Sequence, residues 1–176
     1  VAVEALLRWP QPDGSLRAPG TFILEVERHS RRLTQALGRY VLTSALAQAA
    51  AWHRDGYELA VAVNVSAREF LEDGFLPDLI ELLAEHPDLP RECLVLEITE
   101  TAALEDLPRA RAVMQSCCEL GVRFALDDFG AGHASLANLR ALPVARLKID
   151  GAFVAGLPGA AGDRAVVQAI LAVAEA

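Results

Sequence analysis

Residues 123–135 read RFALDDFGAGHAS, and this stretch indicates both a fold class and the place of a site. It begins with an apolar run, Phe124-Ala125-Leu126, that is typical of a buried strand. Two adjacent carboxylates follow, Asp127 and Asp128, and the chain then enters a loop at Gly130. Because neighbouring carboxylates repel each other and are costly to bury, we expect either a hard divalent metal ion bound to their oxygens or a turn with Asp128 as a helix cap.

The composition limits the class of protein. The chain has 176 residues, 53% of them hydrophobic and 23% charged, which is typical of one core-rich domain or part of one. A net charge of −8 argues against a nucleic-acid polymer as partner. Three cysteines, two of them adjacent, predict free thiols and a cytoplasmic location, with any membrane anchor outside this segment. No apolar run is long enough to span a membrane.

Predicted strands and helices alternate along the chain, with no hairpin signal between strands. The strands are predicted at residues 1–7, 58–65, 94–98, 124–126 and 145–149. The helices are predicted at 22–29, 31–54, 75–85, 107–120, 134–142 and from about 163 to the end. Because parallel strands require such crossovers, the pattern favours an open doubly wound sheet or a (β/α)8 barrel. A full barrel takes about 250 residues, so this chain would supply about five of its βα units.

Polar side chains occur at or near the end of each strand, where both fold types bind ligands. In chain order they are Glu4, Asn64, Glu97, Asp127 with Asp128, and Lys148. Oxygen ligands from consecutive strands suit Mg²⁺ or Mn²⁺. Helix caps and turns explain single members, Asn64 most easily, but not Glu4 and Glu97, which lie inside apolar runs.

Two basic residues near these acids have alternative interpretations. Lys148 is the chain's one lysine, and it lies within an apolar strand. It either orients a reacting water or relays its proton, or it forms a plain salt bridge to the acids. Arg8 follows the first strand and either binds a phosphate with both guanidinium nitrogens or is a surface residue.

Five short motifs together resemble those of EAL-domain cyclic-di-GMP phosphodiesterases of bacterial signal transduction. They are Glu4-Ala5-Leu6, Asn64-Val65-Ser66, Glu97-Ile98-Thr99-Glu100, Asp127-Asp128-Phe129-Gly130 and Leu147-Lys148-Ile149-Asp150. The resemblance implies an α/β fold, a TIM-like (β/α)8 barrel of EAL type with one antiparallel strand, represented here by about five βα units. It also implies metal-dependent hydrolysis of cyclic-di-GMP to linear pGpG.

The resemblance implies a role for each matching residue. The expected ligands of two Mg²⁺ or Mn²⁺ ions are Glu4, Asn64, Glu97, Asp127 and Asp128. Glu4 and Asp127 also count as catalytic residues, together with Lys148, which would assist the attacking water.

The remaining matches concern the substrate and a loop. Leu6 is expected to touch the guanine side of cyclic-di-GMP, and Arg8 its phosphate. Glu100 is expected to steady the loop after Asp128, whose first residues are Phe129 and Gly130.

The family pattern extends beyond the motifs present here. Residues 1–176 are expected to be a partial EAL phosphodiesterase domain, without the first strand and without the last two strands, which bear a metal-binding glutamate and a glutamine. Such a piece is expected to be unstable and inactive alone, because uncovered strand edges remain. A homodimer, and fusion to sensory or cyclase domains, are expected for the parent protein.

Two other functions stay open at this point. One is a catalytically silent EAL domain that binds cyclic-di-GMP as a sensor, against which the intact acidic motifs count. The other, reached without the family, is a different metal-dependent barrel enzyme that acts on a carboxylate or phosphate substrate.

Overall fold

The computed structural model describes residues 1–130 and 142–174, and these form a five-stranded parallel sheet with helices between its strands. The strands are β1 (Ala2–Ala5), β2 (Trp9–Pro10), β3 (Leu16–Arg17), β4 (Ala60–Asn64), β5 (Leu94–Thr99), β6 (Arg123–Phe129) and β7 (Arg146–Ile149). The main sheet has the order β1-β4-β5-β6-β7, and β2 and β3 form a separate antiparallel ribbon. Because sheet order follows chain order without reversal, the sheet is the curled half of a barrel rather than a doubly wound sheet.

Eight α-helices occur among the described residues. They are α1 (Ile23–His29), α2 (Arg31–Arg54), α3 (Ala67–Phe70), α4 (Phe75–Ala84), α5 (Glu100–Glu105), α6 (Leu107–Glu119), α7 (Gly151–Ala155) and α8 (Ala161–Ala174). Short 3₁₀ turns lie at Pro19–Thr21 and Arg91–Cys93. In the part of the chain that the structure describes, no helix is both long and apolar enough to cross a membrane.

The predicted alternation of strands and helices is confirmed for the main sheet, and α2 has the predicted bounds. The short antiparallel ribbon of β2 and β3 was not predicted. The short helices α3, α5 and α7 were not predicted, because each spans six residues or fewer and gives no clear apolar period. The helix predicted at 134–142 lies outside the described residues except for Leu142. All five strands of the main sheet pair in parallel, so the antiparallel strand that the resemblance implies stays a prediction.

The two faces of the sheet differ in the size of their side chains. Successive residues of a strand point to opposite faces, so positions two apart share one face. One face contributes large residues to the core beneath the helices, among them Val63, Leu96 and Phe124. The opposite face carries a separate cluster of small buried residues, Ala62, Val95 and Ala125.

Three phenylalanines join the first βα units into one core. Phe70 is fully buried at the end of α3. Its ring packs edge-on against Phe75, with centroids 5.5 Å apart, and against Phe124, with centroids 5.8 Å apart. Such edge-to-face pairs stabilise a core beyond the burial of their area. Phe70 thereby fixes the segment that follows β4 against β6.

Helix α2 begins at a capped residue and packs on the sheet through one stripe. The Ser30 side chain accepts a hydrogen bond from the backbone N–H of Leu33, 3.2 Å away, which satisfies one of the first free donors of the helix. The buried stripe consists of Thr34, Leu42, Ala45, Leu46 and Ala49. Leu33 itself lies outside this stripe and is exposed.

Candidate functional site

The ammonium group of Lys148 lies among three carboxylates at the C-terminal edge of the sheet. Its Nζ donates to Glu97 Oε2 at 2.6 Å and to Asp127 Oδ2 at 3.0 Å, and it lies 3.6 Å from Glu4 Oε2. Asn64 joins the group because its Nδ2 donates to Glu4 Oε1 at 2.7 Å. The structure thus brings together five of the residues predicted from the motifs, although they are far apart in the sequence.

Strand register explains why these side chains meet. Asn64 pairs with Glu97 across β4 and β5, and Thr99 pairs with Asp127 across β5 and β6. Glu97 and Asp127 each lie two residues beyond a member of the small-residue cluster, Val95 and Ala125, and therefore point to the same face. The small residues cover the middle of this face, and the charged groups lie at its C-terminal edge.

Burial and mutual charge shift the pKa values of this group. Only 5% of the Glu97 side chain is exposed, and this burial raises the pKa of Glu97. The hydrogen bond and positive charge of Lys148 partly offset this rise in the pKa of Glu97, whereas the negative charges of Glu4 and Asp127 add to it. Partial burial lowers the pKa of Lys148, but its hydrogen bonds to Glu97 and Asp127 outweigh this effect, and the resulting pKa lies above its ordinary value. Lys148 is therefore a permanent cation that neutralises part of an acidic cluster.

Asp128 has a different setting from Asp127. The strand was predicted to end at Leu126, but β6 continues to Phe129, with an irregular register between Leu126 and Phe129. Asp128 adopts a left-handed backbone conformation, with φ at 54°. Partial burial raises the pKa of Asp128, and the nearby carboxylates of Asp127 and Asp150 add to the rise. Such an irregularity changes the direction of a side chain, so both acids remain on the rim although they are adjacent.

The chemistry of these side chains fits a hard divalent cation. Glu4, Glu97, Asp127 and the amide of Asn64 are all oxygen donors, the type that Mg²⁺ and Mn²⁺ prefer. In the structure these acids surround the Lys148 ammonium group. Within residues 1–130 and 142–174, no three His, Cys, Asp or Glu side chains stand in an arrangement that could itself hold a metal ion. The predicted metal ligands, Asp128 included, therefore stay a prediction.

A partly buried hydrogen bond connects the first residue of α5 to the loop after β6. Glu100 is 3% exposed, and its Oε2 accepts a hydrogen bond from the Gly130 N–H at 3.1 Å. Gly130 has a φ of 99°, and a Cβ at this position would lie 3.1 Å from the ring of Phe153 and 3.2 Å from Ile170. Phe129 is buried beside it. The predicted contact of Glu100 with this loop is present up to Gly130, and the loop beyond lies outside the described residues.

A cavity of about 630 Å³ adjoins the acidic group. Asn64 and Asp128 line it beside Leu6, the residue predicted to touch the guanine side of the substrate, and Leu6 is 56% exposed. Helices α1 and α2 supply the opposite wall. Arg8 does not line this cavity: it is exposed, and its guanidinium donates to the carbonyl of Leu7 at 2.7 Å. Its predicted phosphate contact stays a prediction.

Glu69 lines the same cavity and was not predicted. Ser66 is the residue immediately before α3, and its Oγ accepts a hydrogen bond from the backbone N–H of Glu69 at 3.2 Å. The pattern Ser-x-x-Glu is a helix-start signal, so the sequence did contain a clue to this helix. The carboxyl lies against Gly38 of α2, where a Cβ would come within 1.8 Å of its Oε1. The contact between Glu69 and Gly38 joins residues far apart in the sequence, and no sequence pattern predicts it.

The carboxyl of Glu69 is expected to make stability depend on pH. Burial raises its pKa from the ordinary 4.5 to about 7, and the charges of Asp78 and Glu27 add to the rise. The unfolded chain loses this proton at lower pH than the folded chain does, so stability decreases as pH rises from about 4.5 through about 7. Glu69→Gln should therefore increase the free energy of unfolding by about 2 to 3 kcal/mol near pH 8 and change it little near pH 4.

Denaturant unfolding at several pH values tests this expectation. Glu81→Gln is the matched control, because Glu81 is exposed on α4 and pairs only loosely, 3.3 Å from Arg39. Its effect should be small at every pH. A constant difference between Glu69→Gln and the natural chain across pH would contradict the assignment.

Comparison with known proteins adds sequence and structural relatives. The model of the EAL domain family matches residues 1–176. The signaling protein YkoW of Bacillus subtilis is 38% identical over 169 residues, which are 96% of the chain and 21% of YkoW. The bifunctional diguanylate cyclase/cyclic di-GMP phosphodiesterase MucR of Pseudomonas aeruginosa is 36% identical over 173 residues, 98% of the chain and 25% of MucR.

A solved structure of the MucR phosphodiesterase in complex with c-di-GMP resembles the chain closely. The two agree with a TM-score of 0.92 at 35% identity, over 99% of the chain and 70% of that structure. The chain spans about a quarter or less of the length of the curated relatives described above, 21% of YkoW and 25% of MucR.

Proposed function

The chain belongs to the EAL domain family, and on this premise we propose that it hydrolyses one phosphodiester of cyclic-di-GMP to linear pGpG in bacterial signalling. Relatives named as cyclic di-GMP phosphodiesterases support this proposal, as does the complex of the MucR phosphodiesterase with c-di-GMP. In the reaction a water oxygen bonds to one phosphorus, the bond from that phosphorus to the 3′ oxygen breaks, and the 3′ oxygen takes a proton. The product then carries a free 5′ phosphate and a free 3′ hydroxyl.

One observation carries the proposal: a lysine and three carboxylates converge on the C-terminal rim of a parallel sheet. This rim is where barrel enzymes bind and transform their substrates. A structural salt bridge needs one acid for one base, whereas Lys148 has Glu4, Glu97 and Asp127 around it. The excess of negative charge next to a cavity is suited to divalent cations, which would in turn attract a polyanionic substrate.

The chain's own residues have distinct tasks in this proposal. The protonated Lys148 orients the attacking water through its N–H groups and stabilises negative charge that develops near the phosphorus. Arg8, which is exposed beside the end of β1, binds a phosphate oxygen pair of the substrate. Glu100 holds the Gly130 N–H and so fixes the start of the loop that follows the two adjacent acids.

Glu4, Asn64, Glu97, Asp127 and Asp128 are the proposed ligands of Mg²⁺ or Mn²⁺. Bound divalent cations would supply Lewis-acid polarisation of the phosphate and a lowered pKa of bound water. Lys148 holds three of these acids at the rim, with Asp127 and Glu97 both within hydrogen-bonding distance. The same lysine would have to shift when these carboxylates turn toward cations, because it now occupies the space between them.

Hydrolysis of cyclic-di-GMP by the full-length protein tests the proposal. We expect pGpG to form with Mg²⁺ or Mn²⁺ and to disappear with a chelator. Glu4→Gln should lower kcat/KM by roughly 10²-fold or more, because it removes one charged ligand while keeping the shape of the side chain. Glu25→Gln, on the exposed part of α1, is a matched control that should behave like the natural protein.

Two outcomes would contradict the proposal. If Glu4→Gln and the natural protein form pGpG at equal rates, the acidic group is not the site of the reaction. If the natural protein hydrolyses another phosphate ester but not cyclic-di-GMP, a different metal-dependent reaction is indicated.

The second candidate is a catalytically silent EAL domain that binds cyclic-di-GMP as a sensor. The observation in its favour is the 630 Å³ cavity, which offers a binding place whether or not the acids act on a phosphate. Calorimetric titration with cyclic-di-GMP in the presence of Mg²⁺ separates the two candidates. Tight binding without pGpG formation would establish the sensor, and turnover would exclude it.

We propose further that the domain acts in the cytoplasm as a homodimer within a larger protein. MucR combines cyclase and phosphodiesterase functions in one chain, which supports a multidomain parent. Sedimentation of the full-length protein tests the dimer, and a monomer at high concentration would count against it.

A further inference from the structure

Glu69 lies at the boundary between two cavities of unequal size. It lines the cavity of about 630 Å³ beside the acidic group, and it also lines a small cavity of about 20 Å³. Arg39 of α2 and Asp78 of α4 are among the other residues around the small cavity. Of the residues that the structure describes, Glu69 is the one that lines both. Since 20 Å³ is roughly the space that one water molecule needs, a carboxylate oxygen can move into the small cavity.

The carboxyl of Glu69 fills a gap in the surface of α2. The gap exists because residue 38 is a glycine: a Cβ at this position would collide with both carboxyl oxygens. Helix α2 spans 24 residues, and a glycine inside a helix is less favourable than an alanine by about 1 kcal/mol. The missing side chain of Gly38 is therefore what lets α3 approach α2 through this carboxyl.

The place of this carboxyl favours its neutral form. Burial raises the pKa of Glu69 to about 7, and the charges of Asp78 in α4 and Glu27 in α1 add to the rise. The ion pairs in residues 1–130 and 142–174 do not include Glu69. Loss of its proton therefore leaves a charge without a counterion, beside other acids and partly withdrawn from water.

Arg39 is the cation that lines the small cavity together with Glu69. Its present ion pairs are long, 3.4 Å to Asp78 Oδ1 and 3.3 Å to Glu81 Oε2, and all three side chains are exposed. Such pairs stabilise a protein by less than about 1 kcal/mol. The guanidinium of Arg39 can therefore accept another carboxylate at little cost.

The other charged groups around α3 give an ionised carboxylate no better partner. Arg31 pairs with Glu72, and Arg68 donates a hydrogen bond to the carbonyl of Glu27. Asp128 lines the large cavity and is itself an acid. The small cavity, with its guanidinium, is therefore the place to which the ionised side chain would turn.

We propose that Glu69 is a proton-operated latch between α2 and α3: as a neutral acid it packs at Gly38, and as a carboxylate it turns into the small cavity toward Arg39. The proton that it loses goes to water. In the first position the side chain holds α3 against α2 and completes the wall of the large cavity. In the second position this contact is released and the wall opens. Helix α3 begins three residues after Asn64, so its displacement reaches the rim that carries the acidic group.

Proton linkage gives the direction of the switch. When α3 is released, Glu69 has a pKa near its ordinary value of 4.5, whereas in the packed position its pKa is about 7. Release of α3 between these values therefore sets a proton free, and a rising pH favours the released position. Between pH 6 and pH 8 the equilibrium should shift toward release about tenfold. Resting on the proposed function, we expect the affinity of the site for cyclic-di-GMP to decrease over the same range.

Hydrogen exchange of the full-length protein, without any nucleotide, tests the latch. The backbone N–H groups of Phe70 and Leu71 donate to the carbonyls of Ser66 and Ala67, so they lose protection when α3 is released. After correction for the intrinsic exchange rate, their protection in the natural protein should decrease about tenfold from pH 6 to pH 8. In Glu69→Gln, which stays neutral, it should change less than about twofold.

Three further variants define the two positions of the latch. Gly38→Ala places a methyl group where the carboxyl now lies, so α3 should be as weakly protected at pH 6 as the natural α3 is at pH 8. Arg39→Gln removes the cation that receives the carboxylate and should reduce the tenfold change to about threefold or less. Glu85→Gln is the matched control, because Glu85 is exposed at the end of α4, and it should keep the tenfold change.

Three results would overturn the latch. The first is the same pH dependence of α3 protection in the natural protein and in Glu69→Gln. The second is natural protection of α3 at pH 6 in Gly38→Ala. The third is equal protection of α3 and β5, because the pH would then act only through unfolding of the whole domain.

Initial rates of hydrolysis separate this inference from the proposed function. The KM of the natural protein for cyclic-di-GMP should rise about threefold or more from pH 6 to pH 8, and Glu69→Gln should lose most of that rise. If no hydrolysis occurs, the proposed function fails, but the exchange data still decide whether the latch exists. If α3 is released as expected and both proteins show the same KM profile, the latch does not reach the site and its link to the reaction is wrong.

Discussion

Alanine in place of Lys148 is expected to reduce the turnover number for cyclic-di-GMP roughly 10²- to 10⁴-fold. Lys148 is the cation in contact with Glu97 and Asp127, and in the proposed reaction it orients water and stabilises developing charge. Its removal takes away that group and leaves three like charges close together. Initial rates of pGpG formation at saturating substrate and Mn²⁺ measure the loss in the full-length protein.

The loss of Lys148 should also be visible without any nucleotide. In a chelator, Lys148→Ala is expected to lower the free energy of unfolding by about 1 to 2 kcal/mol, because the three carboxylates lose their common partner on a partly exposed rim. Divalent cations should restore more stability to this variant than to the natural protein, since they can replace the missing positive charge. Thermal unfolding with and without Mn²⁺ measures both effects.

Two further variants define what the Lys148 result means. Arg146→Ala removes an exposed cation from the same strand and should leave turnover within about twofold. Lys148→Arg keeps the charge but replaces a compact ammonium by a planar fork, and we expect it to remain strongly impaired. A folded Lys148→Ala protein with natural turnover would refute the catalytic role, and the lysine would then be a structural counterion alone.

The largest effect on stability is expected for Phe70→Ala, at about 3 to 5 kcal/mol. Phe70 is fully buried and makes edge-to-face contacts with Phe75 and Phe124. Alanine would leave a cavity between α3, α4 and β6, and both ring pairs would be lost. Because natural domains are stable by only about 5 to 15 kcal/mol, much of the protein could unfold at 37 °C.

Denaturant unfolding of the full-length protein near 15 °C measures the effect of Phe70→Ala. Tyr57→Ala is the matched control, since it removes an aromatic ring that is largely exposed and should change the free energy of unfolding by less than about 0.5 kcal/mol. Phe70→Leu should recover about half of the loss because it fills part of the space. A change below about 1 kcal/mol for Phe70→Ala would mean that the three rings do not form a common core.

The sequence predicted most of the elements because their signals are local. The bounds of α2 follow from Ser30 as its cap and from Asp55-Gly56 at its end. The strands were recognisable as apolar runs, since a parallel sheet covered on both faces excludes polar residues from the middle of its strands. The end of β6 was placed too early, because pairing with β7 resumes at Phe129, beyond two charged residues that by themselves favour a loop.

For the candidate site, too, the sequence identified the residues but not their contacts. The identity of Glu4, Asn64, Glu97, Asp127 and Lys148 was determined by the sequence, because oxygen ligands and a lone lysine at strand ends are conspicuous in an apolar context. The family was determined there as well, through the order of five short motifs. None of these signals depends on knowing which residues lie close in space.

Only the tertiary structure decided that Lys148 is the shared partner of the acids and that Glu69 faces the cavity. Strand register makes Lys148 the shared partner, since it brings Glu97 and Asp127 within 3.0 Å of its ammonium group. The close approach of α3 to α2 at Gly38 sets the second. Contacts between residues distant in sequence depend on how whole elements pack, and a local pattern specifies an element but not the neighbour on which it packs.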